Sequence, residues 1–210
     1  MRRSIAILLV AVLALGTTPV FAGAQRYEPL SASVRAILSK AVSDQAVPYL
    51  AFDTEAEARA WLNVMSARLV KRMPDRVARE EFLVTVHYEA KRAGLDPQLV
   101  LGVIQVESGF RKYAVSSAGA RGYMQVMPFW LRLIGAPENN LFHLRTNLRY
   151  GCVILRHYLD IENGDVFRAL GRYNGSLGRA EYPNMVLAAW HRQWIYPAVG
   201  VPGPERTAGL

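Results

Sequence analysis

Cysteine is nearly absent from this sequence. Only one of its 210 residues, Cys152, is a cysteine. A single thiol forms no internal disulfide and cannot build a cysteine-based zinc site. Folds that depend on disulfide staples are therefore excluded. Because free cysteine behaves as a small hydrophobic residue, we expect Cys152 to lie in the core.

Histidine patterns that hold metals are missing as well. The four histidines, His87, His143, His157 and His191, show no HExxH-type spacing. His87 lies in a helical pattern with no ligand partner four residues away, so we expect a satisfied structural or surface histidine. The sequence predicts no bound metal and no cofactor.

A long apolar run occurs only at the beginning of the chain. Ile5–Leu15 follows two arginines and is short for a membrane span. Small residues and a proline come next, which is typical of an export signal cleaved after Ala22 or Ala24. We predict that residues 1–24 are a signal peptide and that the mature protein is periplasmic, without stable membrane insertion. An uncleaved membrane anchor is the alternative.

Dense runs of one charge are lacking, although the net charge is +8. A basic surface suits nucleic acid, an anionic membrane or an anionic polymer such as a bacterial cell wall. Composition alone does not choose among these partners. The export signal conflicts with a nucleic-acid-binding role, so we expect no nucleic-acid partner. The sequence identifies no protein partner.

Sustained alternation of apolar and polar residues, the pattern of strands, is missing too. Half of the residues are hydrophobic, which is enough for a sizeable core. We predict an all-α fold with at most one short β-hairpin near Val115–Val126. Helical spacing predicts helices over residues 31–42, 54–72, 75–93, 97–108, 129–134, 147–161, 165–173 and 182–194. Residues 25–94 form a helical N-terminal extension, and residues 197–210 form a flexible tail rich in proline and glycine.

One carboxylate stands at the end of the most apolar predicted helix. That helix begins with the capping pair Asp96-Pro97 and ends near Glu107. The helix dipole and apolar neighbours both disfavour a negative charge at this end, so they raise the pKa of the carboxyl group. An acid that is protonated near neutral pH can act as a general acid. The alternative is an ordinary surface glutamate.

Polar residues follow Glu107 in a loop rich in serine, glycine and alanine. Ser108 and Ser116 can donate hydrogen bonds, and the glycines allow close backbone approach. Gln125 interrupts an apolar run. Because a buried amide without a partner is costly, Gln125 is expected to face a ligand or a backbone group.

Four motifs carry a resemblance to a known family. They are Glu107-Ser108-Gly109-Phe110, the run from Ser116 to Pro128, Asn147-Leu148 with Gly151, and Arg172-Tyr173-Asn174-Gly175. In this order and spacing they resemble the catalytic domain of soluble lytic transglycosylases, glycoside hydrolase family 23, which is related to goose-type lysozyme. The resemblance covers roughly residues 95–194. It implies a lysozyme-like catalytic domain over residues 95–196.

The resemblance also assigns roles to single residues. Glu107 matches the family's one catalytic acid, and Met127 matches a methionine beside it. Tyr173 and Asn174 match an aromatic-asparagine pair near the same site. Arg172 stands where alanine is usual. The residues implied to bind substrate are Ser108, Ser116, Gln125, Met127, Tyr173, Asn174 and Tyr182.

The resulting prediction is a monomeric, metal-independent peptidoglycan lytic transglycosylase that acts on glycan strands. It implies cleavage of the β-1,4 bond between N-acetylmuramic acid and N-acetylglucosamine, with a 1,6-anhydromuramoyl product. A glycosidase normally uses two carboxyl groups. The acids after Glu107 lie in no matching motif, so Glu107 is expected to serve as acid and then as base. The alternatives are a lysozyme-type hydrolase and a non-catalytic wall-binding scaffold.

Overall fold

The computed structural model describes residues 25–196, so the predicted signal peptide and tail lie outside the described residues. Eight α-helices occupy this range, and no strand is formed within it, which confirms the all-α prediction. The last helix continues into a π-helical turn, Trp190–Trp194. The helices are α1 (Ala32–Val42), α2 (Glu55–Leu69), α3 (Arg76–Arg92), α4 (Pro97–Glu107), α5 (Phe129–Ile134), α6 (Leu144–Ile161), α7 (Val166–Tyr173) and α8 (Glu181–Ala189).

Side-chain caps begin the helices whose starts were predicted most sharply. Thr54 and Glu57 form a capping box at the start of α2. The carboxylate of Asp75 caps α3, and that of Asp96 caps α4 ahead of Pro97. By contrast, α6 begins three residues earlier than predicted. His143 at its N-cap position makes no side-chain hydrogen bond, so no capping pattern marks that start.

The possible β-hairpin is reduced to two isolated antiparallel bridges. Val115 pairs with Arg121, and Arg121 pairs with Val126. Backbone hydrogen bonds join Arg121 and Val126 in both directions at 3.0 Å. The loop between α4 and α5 is therefore tightly folded on itself without a regular strand.

Helix α4 runs through the centre of the core. Its residues Val100, Leu101 and Ile104 are fully buried. Helix α8 packs closely against it at Gly102, where an added Cβ would lie 3.2 Å from the carbonyl oxygen of Val186. This close approach brings the beginning of α8 beside the end of α4.

Residues 25–94 pack onto the rest of the chain. Helix α3 packs against α2, α4 and α6, and α1 packs against α5 and α6. The fully buried carboxylate of Glu89 in α3 binds Arg149 of α6 at 3.1 Å and Arg145 at 3.2 Å. Arg92 contacts its other oxygen at 3.1 Å. The two parts share this ionic cluster, and the domain boundary after residue 94 stays a prediction.

His87 was predicted to be a satisfied structural or surface histidine, and it is structural but incompletely hydrogen-bonded. The side chain is 1% exposed and stacks on Phe52, with the edge of Trp61 beside it. Its Nδ1 atom has no hydrogen-bond partner among the described residues. Burial, followed by the charge of Lys91, lowers the pKa of His87 to about 4. His87 is therefore a neutral core residue. The prediction that Cys152 is buried is confirmed.

Two further findings concern residues 25–196. No helix in this range is long and apolar enough to cross a membrane. No group of three or more histidine, cysteine, aspartate or glutamate residues is arranged there to hold a metal ion.

Candidate active site

Glu107 is the last residue of α4, and its side chain is 4% exposed. The helix ends immediately after it because Gly109 adopts a left-handed conformation with φ of 59°. The carboxyl group is therefore held inside the protein at a helix C-terminus. Its position at the end of the helix is the one predicted from the sequence.

Tyr182 holds the carboxyl group of Glu107. Its hydroxyl donates a hydrogen bond of 2.6 Å to Oε1 of Glu107 from the first turn of α8. Burial, followed by the charge of Glu107, raises the pKa of Tyr182 well above its ordinary value. The tyrosine therefore keeps its proton and remains a donor over the working range of pH.

Gln125 lies in the loop between α4 and α5. It is 2% exposed and adopts a left-handed conformation with φ of 49°, which is uncommon for a residue with a side chain. Its Nε2 atom donates to the carbonyls of Gly122 at 2.9 Å and Ala114 at 3.1 Å. The side chain of Gln125 was expected to face a ligand or a backbone group, and in the described structure it binds backbone groups.

Asn147 in α6 clamps the same loop. Its Oδ1 atom accepts from the amide of Met124 at 2.8 Å, and its Nδ2 atom donates to the carbonyl of Arg121 at 2.8 Å. Gly122 is needed at this point because an added Cβ would lie 2.4 Å from Nδ2 of Asn147. The backbone around Gln125 is thus fixed by α6.

Tyr173 of α7 binds the same loop. Its hydroxyl donates to the carbonyl of Met124 at 2.8 Å, and its side chain is fully buried. Burial, followed by the charge of Glu107, raises the pKa of Tyr173 well above its ordinary value. Interaction with the side chain of Gln25 opposes part of that rise.

The remaining predicted site residues have local partners. The hydroxyl of Ser108 donates to Ile104, and the hydroxyl of Ser116 accepts from the backbone amide of Ala120. Asn174 donates to the hydroxyl of Ser176 at 3.0 Å, while its buried Oδ1 atom has no hydrogen-bond partner in the described structure. The side chain of Met127 is half-buried at the edge of the core.

The structure therefore joins Glu107 to Tyr182 and Tyr173 to the Gln125 loop by hydrogen bonds, and the charge of Glu107 acts on both tyrosines. The contacts of Ser108, Ser116 and Asn174 lie within their own segments, so their roles toward substrate stay predictions.

Sequence reasoning missed Gln25, which is 3% exposed beside the Gln125 loop. Its Nε2 atom donates to the carbonyl of Gln125 at 3.2 Å, and its Oε1 atom accepts from the amide of Met127 at 3.0 Å. The residues in contact are about a hundred positions apart in the sequence, so no local pattern predicts these contacts.

A cavity of about 820 Å³ lies away from this cluster, beside the N-terminal half of α2 and the start of α4. Phe52, Trp61 and His87 are among its lining residues, and no predicted site residue is. Because no predicted site residue lines this cavity, we do not assign the predicted chemistry to it.

Comparison with known proteins bears directly on the Glu107 cluster. The family profile of the transglycosylase SLT domain matches residues 85–184, a range that contains every predicted site residue. This part of the chain is therefore similar to the transglycosylase SLT domain. The matched range of the SLT domain begins inside α3 and ends inside α8.

Relatives of the SLT domain agree with this assignment. A transglycosylase of Enterobacteria phage PRD1 is 36% identical over 98 residues, which are 47% of this chain and 36% of the relative. A membrane-bound lytic murein transglycosylase C of Haemophilus ducreyi is 32% identical over 118 residues, covering 49% of this chain and 32% of the relative. The enzyme of that name from Actinobacillus pleuropneumoniae serotype 5b is 50% identical over 52 residues, 25% and 14% of the two chains.

The chain thus spans about a third or less of these relatives' lengths. No solved structure matches it.

Proposed function

We propose that this chain is a peptidoglycan lytic transglycosylase whose single catalytic carboxyl group is that of Glu107. The observation that carries the proposal is the hydrogen bond from Tyr182 to Glu107 within an SLT domain. A buried carboxyl group with a defined donor has a fixed orientation. Fixed geometry is the first requirement for a general acid.

The other buried carboxylates of the described chain have structural partners. Glu89 is surrounded by arginines, and Glu162 binds Arg168 and Arg172. These arginines hold the pKa of Glu162 below its ordinary value, so that group remains an anion. The proposed chemistry therefore gives both proton transfers to Glu107.

In the first step, Glu107 gives its proton to the oxygen between N-acetylmuramic acid and N-acetylglucosamine. The bond from C1 to that oxygen breaks, and the N-acetylglucosamine residue leaves as an alcohol. The acetamido group of the muramoyl sugar supports the positive charge that develops at C1. Glu107 is left as a carboxylate, to which Tyr182 donates its hydrogen bond.

In the second step, the carboxylate of Glu107 takes the proton of the C6 hydroxyl. The C6 oxygen bonds to C1 and closes the 1,6-anhydro ring, so no water is consumed. Positioning this hydroxyl in place of water is an orientation effect, which can supply a large part of a barrier. Neither step requires a metal. The proposed substrate contacts are Ser108, Ser116, Gln125, Met127, Tyr173, Asn174 and Tyr182.

Residues 1–24 are proposed to direct export, so that the protein acts in the periplasm or outside the cell. The names of the relatives refer to membrane-bound enzymes acting on murein, which supports a cell-wall location. The net charge of +8 suits an anionic wall polymer. Residues 25–94 are proposed to be a helical extension that packs on the catalytic domain over residues 95–196, with residues 197–210 as a tail.

The proposal is tested by incubating purified peptidoglycan sacculi with the wild type, Glu107→Gln and Glu138→Gln. Glu138 is an exposed acid in the loop before α6 and serves as the matched control. We expect the wild type and Glu138→Gln to release soluble muropeptides. Glu107→Gln should release them about 10² to 10⁴ times more slowly.

Three outcomes point elsewhere. Equal release by Glu107→Gln would remove Glu107 from the mechanism. Products with reducing ends would favour a lysozyme-type hydrolase, and binding without release would favour a wall-binding scaffold.

A further inference from the structure

The segment over residues 25–30, here called the N-terminal strap, lies on the residues that form the candidate site. It has no regular secondary structure. Its contacts are made by side chains: the amide of Gln25 binds the Gln125 loop, and the carboxylate of Glu28 binds Arg172 at 3.3 Å. Tyr27 sets its ring edge against Phe129, with 5.7 Å between ring centroids.

Each partner of the strap lies in a site segment or directly beside one. Gln125 and Met127 are predicted substrate contacts. Arg172 immediately precedes Tyr173, and it stands where the family usually has alanine. The strap thus contacts three separate parts of the fold, which are the Gln125 loop, α5 and α7.

Gln25 occupies a position that suits an amide ligand. The main-chain carbonyl of Gln125 accepts from its Nε2 atom, and the main-chain amide of Met127 donates to its Oε1 atom. The backbone thus presents one acceptor and one donor, and the carboxamide of Gln25 binds both. An acetamido substituent also carries an N–H and a C=O, and because these point in opposite directions, one acetamido group can replace one of the two hydrogen bonds that Gln25 makes.

Most of the strap is exposed to solvent. Four of its six residues, including Tyr27 at 62% exposure, are exposed to solvent. A cavity of about 310 Å³ lies beside the contact between Tyr27 and Phe129 and extends to Leu133. A segment that is held by a few side-chain contacts can be displaced by a ligand.

We propose that the N-terminal strap is a built-in competitor of the glycan, in which the Gln25 side chain occupies the position that binds an acetamido group of the substrate. The inference rests on the proposed function because acetamido groups are a property of peptidoglycan sugars. Substrate binding then requires release of Gln25 and Glu28. The apparent dissociation constant then equals the intrinsic one divided by the fraction of molecules in which the strap is released.

The test measures binding of tetra-N-acetylchitotetraose to the full chain by calorimetry. We expect Gln25→Ala to bind this probe about tenfold more tightly than the wild type if the strap is bound nine-tenths of the time. Glu28→Ala should change affinity in the same direction. Gln45→Ala, an exposed glutamine before α2, is the matched control and should leave affinity unchanged.

A second readout covers the case in which Gln25→Ala folds poorly. Hydrogen exchange of residues 25–30 in the wild type should become faster when the probe saturates the protein. The fully deacetylated tetramer should bind more weakly, and the Gln25→Ala change should not improve its binding.

Several results would overturn the proposal. They are unchanged or weaker binding by a folded Gln25→Ala variant, protection of residues 25–30 by the probe, and equal improvement with the deacetylated tetramer. Sacculus cleavage by the wild type separates the two proposals. If cleavage occurs and any of these results is found, the strap proposal fails alone; if neither cleavage nor binding occurs, both fail.

Discussion

The hydroxyl of Tyr182 lies 2.6 Å from Oε1 of Glu107 and donates a hydrogen bond to it. The two residues stand at the beginning of α8 and the end of α4, which meet because Gly102 lets α8 approach. A packing feature of the core thus sets the orientation of the proposed acid. The chemistry depends on helix packing as much as on the residues themselves.

Changing Tyr182 to phenylalanine removes only this hydroxyl. A hydrogen bond to a charged group contributes about 1.5 to 3 kcal/mol, so we expect kcat to fall about 10- to 100-fold. KM should change little because the lost bond supports the carboxylate formed during the reaction. Sacculus cleavage kinetics provide the measurement. Tyr49→Phe, at an exposed tyrosine before α2, should leave them unchanged; equal loss in both variants would contradict the assigned role.

Helix α6 is expected to tolerate no side chain at Gly151. An added Cβ would lie 2.4 Å from the sulfur of Met124, which is fully buried next to Gln125. We expect Gly151→Ala to lower the free energy of unfolding by about 1 to 3 kcal/mol. Gly171→Ala in α7 is the matched control, because its added Cβ would lie 3.4 Å from the nearest atom. Urea unfolding of both variants is the check, and equal stability would contradict the packing.

The Glu89 cluster is expected to hold the N-terminal helices to α6. Removing the carboxylate in Glu89→Ala leaves Arg149, which is nearly buried, without its partner at 3.1 Å. Breaking a buried ion pair in this way costs about 3 to 5 kcal/mol. Glu55→Ala removes a solvent-exposed pair with Arg59 and should cost less than about 1 kcal/mol. Thermal unfolding distinguishes the two cases, and similar small shifts would refute a structural role for the cluster.

His87 is expected to make stability depend on pH. Its pKa is lowered to about 4 in the folded protein by burial and then by Lys91, from an ordinary value of 6.5. Between these values the unfolded chain binds the proton and the folded chain does not, so stability falls as pH falls. From pH 7 to pH 5 the loss from this residue is about 2 kcal/mol.

Urea unfolding at pH 7 and pH 5 measures that loss. The wild type should lose about 2 kcal/mol more than His87→Phe, which cannot bind a proton. His191→Gln, at an exposed histidine, should behave like the wild type. If the free energy of unfolding falls equally in the wild type and in His87→Phe, His87 has no part in the pH dependence.

Local signals made much of the fold predictable. Thr54, Asp75 and the Asp96-Pro97 pair mark helix starts because the capping group is adjacent in sequence to what it caps. The start of α6 lacked such a group and was placed three residues late. The prediction left open whether His87 is structural or on the surface, because its burial depends on Phe52 and Trp61, which come from other segments.

The same distinction applies to the candidate site. The position of Glu107 followed from one apolar helix and its end, and the serines and Gln125 from a recognisable motif. Gln25 could not be found in this way, since its partners lie a hundred residues away and depend on tertiary packing. The partner of Gln125 was also undecided, because only the folded loop brings Ala114 and Gly122 to its amide.

The most direct test of the single-carboxyl mechanism is mass spectrometry of muropeptides from sacculi digested in ¹⁸O-labelled water. The mechanism predicts that the wild type releases 1,6-anhydromuramoyl ends that contain no ¹⁸O. Glu107→Gln should release almost none. Reducing ends that carry ¹⁸O, or anhydro ends released by Glu107→Gln at the wild-type rate, would contradict it.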